Sequence, residues 1–191
     1  FRFMRKKILA ANWKMNLTQP AVDSWLNTFH ALDWHSSKAE VRIYPSAIYL
    51  KQIVEKDVHV GAQNVYSELD GAFTGELSIA QLQSIGVQSV LIGHSERRQI
   101  FAEDNNVIAQ KVQACAQGSF PFILCCGEAL QTRELGEHLP FVLAQLSDNL
   151  SQLSAAQLHL LVVAYEPIWA IGTGLSADIA QVTEMHLGIR N

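Results

Sequence analysis

The feature that most constrains this chain is an alternation of short, largely apolar runs with longer amphipathic stretches. The runs Lys7–Ala11, Val41–Tyr44, Val58–Gln63, Ser89–Ile92, Pro121–Cys125 and Leu160–Tyr165 read as strands. Between them, Ala21–Leu32 sets Val22, Trp25, Leu26, Phe29 and Leu32 three and four residues apart, the period of one helical face. Asn105–Gln117, Leu139–Leu150 and Ile179–Ile189 repeat that pattern. Strands apolar on both faces need cover on both, and strands alternating with helices are joined by crossovers. A parallel sheet covered by helices follows. No linker, low-complexity tract or charge block interrupts the pattern, so residues 1–191 are expected to form a single domain.

Such a sheet is either open and doubly wound or rolled into a barrel. A dinucleotide-binding open sheet usually carries G-x-G-x-x-G after its first strand, and none follows here. Polar residues instead stand just past several strands. Asn12 and Lys14 follow the first, Gln63 and Asn64 the third, His94 the fourth, Glu128 the fifth and Glu166 the sixth. Sites of eight-stranded α/β barrels are assembled at strand ends in this way, which favours the barrel.

Composition bounds the partners. A net charge of −4 over 191 residues offers no general basic surface to nucleic acid. Local cations and helix N-termini can still hold a small phosphate. Cys115, Cys125 and Cys126 are an odd, sparse set without metal-ligand spacing, and adjacent strand residues point to opposite faces. A disulfide network is not expected, and a reducing cytoplasm is the simpler setting. No apolar run approaches the roughly 18 residues of a membrane span. The basic Arg5-Lys6-Lys7 precedes too short an apolar stretch for a signal peptide, and Met4 reads as a natural start after Phe1-Arg2-Phe3.

Three segments carry candidate chemistry. In Asn12-Trp13-Lys14 an ammonium leaves a strand end where it could attract an anion, although alone it reads more readily as a solvated Lys. In Gly93-His94-Ser95-Glu96-Arg97-Arg98 the glycine permits a tight turn and Ser95 is a plausible N-cap. His94 would then face the positive end of a helix, which disfavours imidazolium and leaves a neutral hydrogen-bond donor. In Tyr165-Glu166-Pro167 the proline biases Glu166 away from the helical region, so the carboxylate is aimed. The following Ile168–Gly174 segment is an apolar loop tipped by two glycines, whose amides could meet a phosphate.

Together, AANWKMN, GAQNVYSELDGAFTGELS, GHSERRQIFAEDN, the Cys125-Cys126-Gly127-Glu128 stretch and AYEPIWAIGTG resemble, in order and spacing, the triosephosphate isomerase family from Met4 to Asn191. The resemblance implies a TIM (β/α)8 barrel and cofactor-free, metal-free interconversion of dihydroxyacetone phosphate and glyceraldehyde 3-phosphate through an enediolate. It implies Glu166 as the base, His94 as the neutral electrophile, Lys14 and Asn12 as holders of phosphate and developing charge, Glu96 as the carboxylate beside Lys14, and Gly172 as a lid amide on phosphate. The segment Gln63–Ser78 resembles a loop that enters a partner subunit, so a homodimer is implied, with Thr74 near the partner's site.

The pattern departs from the family at Leu175-Ser176-Ala177, at Cys126 and at its end, where one lid and one helix follow Tyr165. About six of eight βα units are therefore expected, and an incomplete record is the favoured explanation. The alternative is an inactive truncated fragment persisting as a structural or binding piece. An aldolase of the Schiff-base type wants a desolvated lysine deep on a strand, whereas Lys14 lies beyond one.

Overall fold

The computed structural model describes residues 7–32, 39–54 and 58–191. The expected start at Met4, the preceding Phe1–Phe3 and the basic Arg5-Lys6 lie outside the described residues.

Six strands, β1 (Lys7–Asn12), β2 (Ala39–Tyr44), β3 (His59–Ala62), β4 (Ser89–Ile92), β5 (Phe122–Cys126) and β6 (Leu161–Tyr165), pair in chain order. Every pairing is parallel. The helices are α1 (Gln19–His30), α2 (Leu50–Val54), α3 (Ile79–Ser84), α4 (Ser95–Gln99), α5 (Asn105–Gln117), α6 (Leu130–Glu134), α7 (His138–Leu150) and α8 (Ile179–Arg190). This is the curled α/β sheet of a TIM barrel with six βα units.

Alternation along the strands divides the interior in two. Val90, Ile92, Phe122 and Leu124 join the large core with Val22 and Leu26 of α1, Ile108 and Val112 of α5 and Val142 and Leu146 of α7. Leu91 and Ile123, one residue out of phase, form a second cluster with Tyr44. Among the described residues β1 pairs with β2 alone and β6 with β5 alone. Both are edge strands among the described residues, and Leu9 on β1 is 61% exposed.

Boundaries shift for identifiable reasons. β1 reaches Asn12, which stays in register with Tyr44. The third strand ends at Ala62 rather than Gln63, whose side chain donates to the Lys14 and Tyr44 carbonyls. α1 begins at Gln19, with Pro20 in its first turn where no amide is needed. Leu160 closes a 3-10 turn (Ala155–Leu160) instead of opening β6. The short helices α2, α3 and α6 were not anticipated, because five or six residues give no periodicity to read; α4 was expected from its N-terminal turn alone. Among the described residues no helix is long and apolar enough to cross a membrane.

Candidate active site

The site is built on the C-terminal ends of β1, β4 and β6. After β1 the chain turns sharply, and Lys14 takes a left-handed backbone with φ 53°. Asn12 Oδ1 accepts the Lys14 amide at 2.9 Å. The Lys14 ammonium lies 2.8 Å from Glu96 Oε1, and the two side chains are 37% and 40% exposed. The pair therefore stands at the mouth in contact with water, where an entering anion can share the cation.

After β4, Gly93 turns with φ 71°; a Cβ there would stand 2.9 Å from Arg98 Nη2. The turn aims His94, which is itself the N-cap of α4, its Nδ1 accepting the Glu96 amide at 3.2 Å. The sequence reading gave that role to Ser95. The correction follows from the ring: an unprotonated Nδ1 is as good an acceptor for an orphan amide as a hydroxyl. Glu96 Oε2 also lies 3.5 Å from Nδ1, which would suit a protonated nitrogen. The amide bond is shorter and needs an acceptor at Nδ1, which leaves Nε2 as the donor. That N–H faces Glu166 Oε1 at 3.2 Å.

Glu166 leaves β6 with its amide still in the ladder, bonded to the Cys126 carbonyl at 2.8 Å. Its Oε2 accepts the Ser95 amide at 3.2 Å. One carboxylate is thus held by an imidazole N–H and by an amide in the first turn of α4. Gly127 is obligatory beside it, because a Cβ would fall 1.8 Å from the Glu166 carbonyl oxygen.

Several buried side chains support these residues. Arg98 donates through Nε to the Gly93 carbonyl at 2.8 Å, and through Nη2 to the Cys125 carbonyl at 3.2 Å and to Asn149 at 3.3 Å. It locks the β4 turn to β5 and α7, and burial lowers its pKa from the usual arginine range. Glu128 is fully buried, and its Oε1 accepts Tyr165 Oη at 2.9 Å, Trp169 Nε1 at 3.0 Å and Arg133 Nη1 at 3.3 Å. Burial, then the Glu128 hydrogen bond, raises the Tyr165 phenol. Lys111, buried on α5, bonds Glu103 at 2.6 Å and Asn64 at 2.8 Å, and burial lowers its pKa. Only a buried lysine inside a helical pattern hinted at that last network.

Asn12, Lys14, Glu96 and His94 line a common cleft of about 360 Å³ with Gln63, Arg97, Met15 and Phe101. Glu166 reaches it through His94. Gly172 lies apart, on the exposed tip beyond the 3-10 turn Ile168–Ala170, with φ 70°. Thr74 is exposed on the 63–78 loop. Among the described residues no group of three or more His, Cys, Asp and Glu is placed to hold a metal ion. What the arrangement offers is a carboxylate, an imidazole 3.2 Å away and a cation at the mouth.

Known proteins are similar to this chain in sequence. The family model described as triosephosphate isomerase matches residues 7–191. The triosephosphate isomerase of Cytophaga hutchinsonii is 44% identical over 192 residues, covering 98% of this chain and 76% of that protein. That of Amoebophilus asiaticus is 43% identical over 195 residues, covering 98% and 77%. That of Francisella tularensis subsp. mediasiatica is 37% identical over 189 residues, covering 97% and 75%. With the fold, the strand-end geometry and these matches in agreement, the chain belongs to the triosephosphate isomerase family.

Proposed function

We propose that the protein interconverts dihydroxyacetone phosphate and D-glyceraldehyde 3-phosphate by proton transfer through an enediolate. The observation that supports this most is the facing pair Glu166 Oε1 and His94 Nε2, 3.2 Å apart at the ends of β6 and β4. Glu166 takes the proton from the carbon next to the carbonyl. His94 donates its Nε2 proton to the oxygen on which charge develops, and as a neutral ring it can return protons between the two oxygens. Lys14, with Asn12 beside it, holds the phosphate and offsets negative charge in the transition state. In the reaction Glu166 exchanges its bonds to His94 and Ser95 for contacts with the substrate. Gly172 on the exposed loop offers its amide to the phosphate as that loop closes, keeping water from the intermediate.

The 63–78 loop supports a homodimer. It exposes Leu69 and Phe73, while Met15 and Phe101, 95% and 62% exposed, line the cleft beside Lys14. A second copy's loop covers this apolar rim and brings Thr74 near Asn12 and His94. The three free, buried thiols suit a reducing cytoplasm.

An aldolase reading fits less well, because Lys14 Nζ is paired with Glu96 and partly solvated instead of desolvated. A coupled assay with dihydroxyacetone phosphate tests the proposal. Turnover is expected, and it should fall roughly 10²- to 10⁴-fold in Glu166→Gln, with Glu166→Asp retaining more. No turnover, or turnover indifferent to Glu166→Gln, contradicts the reading.

A further inference from the structure

A left-handed backbone is unusual for a lysine, and it persists only where the surroundings enforce it. Position 14 needs the ammonium, so neither glycine nor asparagine can take the turn in its place. Side chains from three strand ends hold its backbone. The Lys14 amide donates to Asn12 Oδ1 at 2.9 Å, at the end of β1. Its carbonyl accepts Ser46 Oγ at 3.2 Å, after β2, and Gln63 Nε2 at 2.8 Å, after β3. The same Nε2 also donates to the Tyr44 carbonyl at 2.9 Å. Both carboxamide hydrogens are therefore committed, one to the Lys14 turn and one to the end of β2. Gln63 stands one residue beyond the end of β3.

We infer that Gln63 is a positioning residue for the reaction: its carboxamide keeps Lys14 in the left-handed turn and so keeps the ammonium at the mouth of the cleft, with Ser46 assisting. The inference rests on the proposed role of Lys14 as the phosphate-holding cation. Without the Gln63 donor, Lys14 relaxes toward an ordinary backbone region. That rotates its Cα–Cβ direction and carries the ammonium away from Glu96 and His94. A purely structural glutamine would lower the melting temperature and leave substrate affinity alone.

The test compares Gln63→Met, which keeps the length and removes the donor, with Ser46→Ala, Lys14→Met and the Gln63→Met/Lys14→Met pair. KM for dihydroxyacetone phosphate and binding of inorganic phosphate are both read. Gln63→Met should raise KM and the phosphate Kd together, by roughly ten- to a hundredfold. Ser46→Ala should move both in the same direction by less, which keeps the inference testable if Gln63→Met fails to fold. In the Lys14→Met background the Gln63 substitution should add nothing further, the signature of two residues acting through one group. Lys14→Met weakening phosphate while folded Gln63→Met does not would overturn the positioning role alone. Equal Gln63→Met effects in both backgrounds would do the same. Lys14→Met leaving both constants unchanged would remove the underlying reading of Lys14, and this inference with it.

Discussion

The carbonyl oxygen of Glu166 occupies the space where a side chain at position 127 would begin, 1.8 Å from an ideal Cβ. Gly127→Ala must therefore push β5 and β6 apart at the one place where the carboxylate is aimed. We expect it to destabilise the fold by about 1–3 kcal/mol and to lower kcat, as denaturant midpoints and steady-state kinetics would show. His94 predicts a different pattern. His94→Gln keeps an N–H donor but loses the imidazole that can pass a proton on, so turnover should fall about 10²–10⁴-fold with little change in melting temperature. The placement of His94, Glu166, Lys14 and Asn12 around one cleft was legible in the sequence, because each stands at a strand end. The cap was not. Serine is the statistical favourite for that role, yet the imidazole Nδ1 reaches the Glu96 amide at 3.2 Å and takes it. The Arg98 bonds to the Gly93 and Cys125 carbonyls were equally invisible, because they join residues 5 and 27 positions away.

The segment after β6 is anchored at its start by one buried carboxylate. Glu128 Oε1 gathers Tyr165, Trp169 and Arg133, the Arg133 guanidinium sits 5.7 Å over the Trp169 ring, and its Nη2 continues to Glu184 on α8 at 3.3 Å. Trp169→Phe keeps the apolar ring and deletes one donor to a charged acceptor, a loss of about 1.5–3 kcal/mol. We expect lower stability and altered KM and kcat together, since the first turn of the loop bearing Gly172 loses its tether; calorimetry and kinetics check both. An unchanged protein would show that the anchor carries no energy. At this scale the long helices were readable from three- and four-residue spacing, and the strands from apolar runs. α2, α3 and α6 escaped because a single turn shows no period, although α3 did advertise its Ser78–Gln81 capping box.

Across the whole molecule the three thiols report on the core they sit in. Burial pushes Cys115 and Cys126 up to about 12, and burial followed by the Glu166 carboxylate raises Cys125 well above the usual thiol range. No thiol should therefore react with an alkylating reagent at pH 8 until the protein unfolds. The sign of the linkage is fixed: unfolded thiols ionise near pH 8.5 and the folded ones do not. Their contribution to stability is complete below about pH 8.5 and is lost progressively as pH rises toward 12. Native-state alkylation read by mass spectrometry, or a melting temperature flat from pH 9 to 11, would contradict this packing. The parallel α/β architecture was legible from alternation alone; the curl was inferred from where the polar residues stood, because a strand run carries no mark of its neighbours' tilt. All of it serves one claim, that Glu166 moves a proton on and off carbon. The most direct measurement is deuterium uptake from D2O into the carbon beside the carbonyl of dihydroxyacetone phosphate. The account predicts rapid uptake with the unsubstituted protein and almost none with folded Glu166→Gln; undiminished uptake in that variant would contradict it.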